Sequence, residues 1–307
     1  MDDIQNKELR PLMVSIKCLA YNHGKFIRKT LEGFVKQKTT FRFEAIVHDD
    51  ASTDNTAEII KEYAEKYPEI IKPIYETENQ YSKKDESLQR IMDKACNGKY
   101  IAFCEGDDYW TDPCKLQKQV DFLETHPDYV MCSHFYREYI EDEKYMCTYV
   151  KPFFSENSFS LYDYIKGKWF AHPLTVVYRS SAFNIEECLK YGMSYDVIWF
   201  YILLKKGKCW LMPETMAVYR IHSGGVWSRL DSQDKYFFEI KQRLAIYKIE
   251  KTEMSVDFIL NTMQQRCYSR FLLIKNFLLV CNIFYAIYKY KGMRACIKLL
   301  KKLFIYI

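Results

Sequence analysis

The sequence predicts an α/β fold: a mostly parallel central sheet flanked by helices, with an amphipathic α-helical extension at the C-terminus. Three observations predict it. Short apolar runs alternate four times with segments of helical spacing over the first hundred residues, the pattern of strands joined by crossover helices. Two of those runs end in carboxylates, Asp49-Asp50 and Glu105-Gly106-Asp107-Asp108, and open α/β sheets bind ligands outside the carboxyl ends of their strands. Residues 258–307 hold nine Lys or Arg and no Asp or Glu, so a chain of net charge +5 is a body of −4 carrying a basic, apolar tail. The expected division is a ligand-binding and catalytic domain over 1–230 and a helical extension over 231–307.

Residues 12–20 read as the first strand, and Tyr21-Asn22-His23-Gly24 as a turn. Phe26, Ile27, Leu31, Phe34 and Val35 then recur at helical spacing, giving a helix to about Gln37. Phe43–Val47 is the second strand, and Asp54 is the expected N-cap of a helix through Ile59, Ile60 and Tyr63. Ile70–Tyr75 is the third strand, followed by a helix near 85–97 and a short buried strand, Tyr100–Cys104. Pro113–Leu123 reads as a helix with Pro in its first turn. Tyr129–Ile140 and Tyr145–Phe154 read as strands around the acidic loop 141–143. A short helix at 161–166, a strand at 172–179 entered from a loop, a helix from Asp196 to Lys206, and two short strands at 209–212 and 216–221 follow.

At 49% hydrophobic and 17% aromatic, the chain can bury a large core, and only 10 Gly and 8 Pro argue against a disordered or fibrous protein. The 11 cysteines show no C-x-x-C and no zinc-type Cys/His spacing. Met1–Arg10 is charged and polar rather than an apolar leader, so the thiols are expected to be reduced, in the cytosol. There is no G-x-G-x-x-G after the first strand, which disfavours a dinucleotide fold, and no G-x-x-x-x-G-K-[ST], which excludes a P-loop.

Glu105, Asp107 and Asp108 would repel one another unless a cation joins them, and Mg or Mn takes oxygen ligands from one or two carboxylates plus substrate phosphates. A solvated acidic turn is the plainer explanation of the same residues. Asp49-Asp50 can likewise be turn-forming residues, or acceptors for a nucleoside ring N–H or ribose hydroxyl.

Taken together, Val14-Ser15-Ile16, Ala20-Tyr21-Asn22, Val47 through Thr56, Gly98-Lys99-Tyr100-Ile101 and Glu105-Gly106-Asp107-Asp108 resemble the family 2 glycosyltransferases in order and spacing. Ser194-Tyr195-Asp196 with Trp199 is similar to that family's acceptor-side acidic motif, and Tyr219-Arg220-Ile221-His222 to its late Tyr-Arg-x-His segment. The resemblance covers roughly residues 12–228. It implies a GT-A fold, a nucleoside-diphosphate sugar donor (a UDP-sugar foremost), a divalent Mg or Mn ion and inversion at the anomeric carbon. It implies Ala20, Tyr21, Asn22, Asp49, Asp50, Arg90, Gly106 and Asp107 at the donor nucleotide, with Asp50 on the base. It implies Asp107, Glu105, Asp108 and His222 at the metal, and Asp196 as the catalytic base, its ionised form favoured by the helix it opens. The sequence departs from the family pattern at Lys17-Cys18-Leu19-Ala20, at Ala51 where glycine is common, and at Glu105 where aspartate usually stands. His172-Pro173 either faces the acceptor or shapes a loop.

The tail fits an anionic surface. Residues 271–290 are very apolar but interrupted by Lys275, Asn276 and Asn282, so no spanning run of eighteen apolar residues forms. Beyond Gly292, Arg294, Lys298, Lys301 and Lys302 share a helical face, with Leu299, Leu300, Leu303, Phe304 and Ile307 largely on the rest, the pattern of a helix lying in a membrane interface. Packing on the catalytic domain or on a partner subunit is the alternative. The expected protein is peripheral on the cytoplasmic face of a bacterial membrane and glycosylates a lipid-linked or surface-polysaccharide (lipopolysaccharide-type) precursor. A nucleotidyltransferase would want a glycine-rich basic loop after the first strand, where only Gly24, Lys25, Arg28 and Lys29 stand. A non-catalytic scaffold that binds nucleic acid or membrane through the tail is the other rival; the acidic body argues against a nucleic-acid partner.

Overall fold

The computed structural model describes residues 11–192, 196–265 and 277–304. Met1–Arg10, Ser194-Tyr195, residues 266–276 of the apolar tail and Ile307 lie outside the described residues. The chain divides into two compact units. One takes residues up to Ser160, Trp169–Ile185 and Ile202–Ser223; the other takes Leu161–Lys168, Glu186–Tyr201 and the chain from Gly224.

Among the described residues the first unit is built on one ten-stranded sheet. Its first half is β1 (Leu12–Ala20), α1 (Ile27–Val35), β2 (Arg42–Asp49), α2 (Thr56–Lys66), β3 (Ile71–Tyr75), α3 (Gln80–Lys83), α4 (Ser87–Ala95) and β4 (Tyr100–Phe103). Strands β3, β2, β1 and β4 run parallel in that order. Val14, Ile16 and Cys18 of β1 are fully buried with Ile27, Leu31 and Phe34 of α1, whose spacing puts them on one helical face. Each such side chain contributes about 1.5–3 kcal/mol by leaving water.

The second half is mixed. It comprises β5 (Tyr109–Trp110), α5 (Lys115–Thr125), β6 (Tyr129–Ile140), β7 (Tyr145–Met146), β8 (Ser158–Phe159), β9 (Val177–Arg179) and β10 (Lys208–Ile221). β9 is antiparallel to β4 and β6, β10 is parallel to β6, and β5 closes the edge antiparallel to β10. The mostly parallel description therefore holds for the first half, and the return strands make the whole sheet mixed.

Several boundaries differ from expectation. The two strands expected at 209–212 and 216–221 are one strand, β10, whose register slips near Met212, Thr215 and Ala217 absorb Pro213-Glu214 as bulges. The strand expected over Tyr145–Phe154 stops at Met146, leaving only an isolated bridge between Tyr136 and Lys151. Asn55 rather than Asp54 is the N-cap of α2. Asp54 bonds Thr56 N at 3.0 Å and Gly24 N at 2.9 Å, tying two loops together.

The second unit is helical, with α6 (Leu161–Ile165), most of α7 (Ile185–Leu189), the first part of α8 (Asp196–Leu204), α9 (Ser232–Glu250), α10 (Glu253–Gln265) and α11 (Phe277–Phe304). Tyr236, Ile240 and Leu244 of α9 share a core with Val256 and Ile259 of α10 and Ile283, Ala286 and Ile287 of α11. This unit takes in more than the expected 231–307, because α6 packs on α10 and Asn261 donates to the Ile165 carbonyl at 2.9 Å. Gly292 breaks α11 at φ 73°, where glycine meets no steric penalty. Among the described residues no helix is long and apolar enough to cross a membrane.

Candidate active site

The site forms where β1 and β4 end side by side. Beyond β4, Cys104 N donates to Lys17 O at 3.0 Å and Gly106 N to Leu19 O at 2.8 Å, so residues 104–106 track β1 and deliver Asp107 beyond the sheet edge. A side chain at Gly106 would force its neighbours to shift: a Cβ there would lie 2.8 Å from His23 Nδ1, 2.9 Å from Ile27 Cδ1 and 3.1 Å from Ala20 Cβ. The buried Thr30 hydroxyl lies 2.6 Å from the Asp108 carbonyl and 3.0 Å from that of Gly106, fixing the turn to α1.

Asp107 is the focus. Its Oδ2 is 3.0 Å from His222 Nε2 and 3.8 Å from His23 Nε2. Its Oδ1 is buried without a hydrogen-bond partner, as is His23 Nδ1. Burial pushes the Asp107 carboxyl up, but the His222 hydrogen bond and the charges of His23 and His222 outweigh it and hold it below the usual carboxylate range. Burial pushes His23 below its ordinary value against the attraction of Asp107.

Asp108 plays another part. It is 2% exposed and its Oδ1 accepts from Arg220 N at 2.8 Å, tying the turn to β10. Burial, then the charge of Asp107, holds its carboxyl well above the usual range. Glu105 is exposed, and among the described residues no group of three His, Cys, Asp or Glu side chains is arranged to hold a metal ion. Of the expected metal set, the structure therefore brings Asp107 and His222 together and turns Asp108 into the fold. Arg220 donates to the Asp107 carbonyl, pairs with Glu141 at 2.9 Å and lies 4.7 Å from the Phe26 ring centroid, with Phe26 packed on His222. Sequence reading missed His23. Its one signal was a titratable side chain in the turn after the first strand, and its approach to Asp107 depends on Gly106 lacking a side chain.

The expected nucleotide residues gather at the ends of β1 and β2. Ala20 is buried and its carbonyl accepts from Asp50 N at 2.9 Å, while Tyr21 is 46% exposed. Asn22 takes φ 55°, receives Thr53 N at 2.8 Å on its side chain and donates its own N–H to Ser52 Oγ at 2.9 Å. Asp50 is buried with both carboxylate oxygens engaged, by Gln80 N at 2.7 Å and Tyr81 N at 3.0 Å. Asp49 accepts from Ser52 N at 3.3 Å through Oδ2 and leaves Oδ1 buried without a partner. Of this aspartate pair, Asp49 rather than Asp50 thus has the unengaged oxygen. Arg90 is exposed on α4. Ala51 sits at φ 61°, the reason glycine suits that position.

Asp196 belongs to the second unit and opens α8. The residue is exposed overall, while desolvation of its carboxyl raises it to about 6. The helix N-terminus was expected to favour the ionised form; the raised value runs the other way.

The family model described as glycosyl transferase family 2 matches residues 15–184. An uncharacterized protein of Mycobacterium tuberculosis is 36% identical over 231 residues, 74% of this chain and 64% of that protein, so the chain spans less than two thirds of that relative. The Escherichia coli glucosyltransferase WfaP, named as acting from UDP-Glc on α-D-GlcNAc-diphosphoundecaprenol, is 35% identical over 126 residues, 41% of this chain and 47% of WfaP. Among solved structures, S. aureus TarS 1-349 in complex with UDP superposes with a TM-score of 0.61 at 15% identity, covering 95% of this chain and 89% of that one. At that identity the likeness carries the fold, which is GT-A, and the matched sequence carries the family: the chain belongs to glycosyl transferase family 2.

Proposed function

We propose that this protein is an inverting glycosyltransferase that moves a sugar from a UDP-sugar to a hydroxyl of a lipid-linked surface-polysaccharide precursor. The observation that carries the reading is Asp107: a carboxylate at the end of a sheet strand, with one oxygen on His222 and the other buried without a partner. Burying an acceptor without a partner costs about 1–3 kcal/mol, a cost that a cation bound with the donor diphosphate would remove. Asp107 and His222 fit a divalent Mg or Mn ion; Asp108, committed to Arg220 N, does not. When bound, such an ion offsets the charge that builds on the departing diphosphate. UDP as the nucleotide draws support from the name of WfaP and the UDP complex of TarS. A Pyrobaculum calidifontis mannosyltransferase solved with GDP-Man and Mn2+, at 15% identity and a TM-score of 0.50, supports metal use and marks GDP as the alternative base.

In the reaction the acceptor oxygen bonds to the anomeric carbon as the bond from that carbon to the donor phosphate oxygen breaks on the opposite face. The acceptor proton passes to Asp196. A carboxyl raised to about 6 suits this role at neutral pH, being mostly ionised yet more basic than an ordinary aspartate. The ionised form is lost as pH falls through about 6, so turnover should fall with it. Release of UDP from a panel of UDP-sugars with GlcNAc-diphosphate-lipid acceptors tests this. Asp196→Asn should lower kcat roughly 100- to 10,000-fold and remove the acid limb of the profile. Wild-type kcat in that variant would remove Asp196 from the mechanism.

A membrane setting fits the same reading. α11 exposes Tyr285, Tyr288, Met293 and Ile297 beside the exposed cations Lys289 and Arg294.

A further inference from the structure

We propose that the aromatic pocket beside Tyr136 of β6 seats one neutral pyranose ring of the acceptor, a proposal that rests on the transferase reading above. The pocket has a volume of about 230 Å³ and is walled by Tyr136, Lys151, Phe153, Phe154 and Trp169. Phe153 is 68% and Trp169 37% exposed, so large aromatic faces stand open to water. Their backing is firm. Tyr136 and Lys151 exchange backbone hydrogen bonds of 2.7 and 2.8 Å, and Phe154 packs on Phe159, which stacks on Phe170 at 4.4 Å.

The rim is polar. Glu138, on the same face of β6 as Tyr136, accepts from Tyr149 Oη at 2.8 Å and Lys151 Nζ at 2.7 Å. The adjoining ring is His172, 5.0 Å from Tyr136 and 4.8 Å from Tyr219. Its Nδ1 accepts from Leu174 N at 3.3 Å, which leaves the proton on Nε2. Burial and the Lys151 charge hold His172 down to about 4 against the pull of the Asp107 charge, so the ring is neutral.

The chemistry selects the occupant. The C–H groups on one face of a pyranose carry partial positive charge and pack on the negative face of an aromatic ring. Its hydroxyls then need a polar group at the wall, which Lys151, paired with Glu138, supplies. A hydrocarbon chain gains nothing from that ion pair and would desolvate it. The volume lies below the roughly 300–1,000 Å³ that encloses a drug-sized ligand, which suits one ring rather than an extended chain.

Saturation-transfer NMR with octyl β-D-glucopyranoside below its micelle concentration tests this, because one probe carries both a sugar ring and an alkyl chain. The ring protons should receive more saturation than the chain. Trp169→Ala and Phe153→Ala should each weaken that contact about two- to tenfold; Phe153 is exposed enough that its removal leaves the core intact. Tyr75→Ala, which removes an aromatic ring 46% exposed on β3 at the far edge of the same sheet, should leave it unchanged. Saturation of the chain in preference to the ring, no saturation at all, or a signal insensitive to both pocket variants would overturn the proposal. UDP signals read in the same samples report the transferase reading separately, so the pocket stands or falls on the ring protons alone.

Discussion

Asp107 and Gly106 show how one turn divides its labour. Asp107 supplies the carboxylate, and Gly106 supplies the absence of a side chain that lets His23 close on it. A methyl group at Gly106 would sit under 3.0 Å from His23 and Ile27, so Gly106→Ala should cost about 1–3 kcal/mol by overpacking. Thermal denaturation should show a lowered Tm and calorimetry a weakened nucleotide affinity; an unchanged Tm would mean that the turn has slack. At this scale the motif order put Asp107 and His222 in one expected set, and the structure brings them within 3.0 Å of each other. It could not show that Asp108 faces inward, since two adjacent aspartates look alike until the backbone turns one toward Arg220 N. Nor could it show that both oxygens of Asp50 are taken by residues 80 and 81, whose position depends on a loop of mixed polar residues.

Elements were legible where local periodicity decides them. β1, β3, α1 and α4 lie close to where apolar spacing put them. β10 was not read as one strand, because Pro213 is a local breaker and the bulges that accommodate it exist only through pairing with β6. The Tyr145–Phe154 run has strand composition, but among the described residues β7 reaches only Met146. α11 was legible through its basic, apolar pattern, and the structure adds which residues face out. If Tyr285, Tyr288, Met293 and Ile297 lie on a bilayer with Lys289 and Arg294 at its headgroups, the protein should sediment with vesicles containing phosphatidylglycerol and less with neutral ones. Each cation near an anionic leaflet contributes about 1 kcal/mol, so Lys289→Glu with Arg294→Glu should weaken partitioning by about thirtyfold or more. Equal binding to neutral and anionic vesicles, or none to either, would assign this face to another partner.

At the scale of the molecule, the sequence announced the parallel half of the sheet because its strands alternate with helices along the chain. The antiparallel returns through β9 and β5 join residues far apart in sequence, a pairing that composition does not encode. The result sets two kinds of surface within the first unit: loops at the ends of β1, β2 and β4 that gather carboxylates, and an aromatic pocket bordered by β6. The first of these, we propose, binds a nucleoside diphosphate through Asp107 and a metal. Calorimetric titration with UDP, with and without Mn2+, on the wild type and on Asp107→Ala tests it most directly. Binding should require Mn2+ and be weakened at least tenfold by the substitution in a protein that still unfolds cooperatively. UDP binding of equal strength without metal and in Asp107→Ala would contradict it.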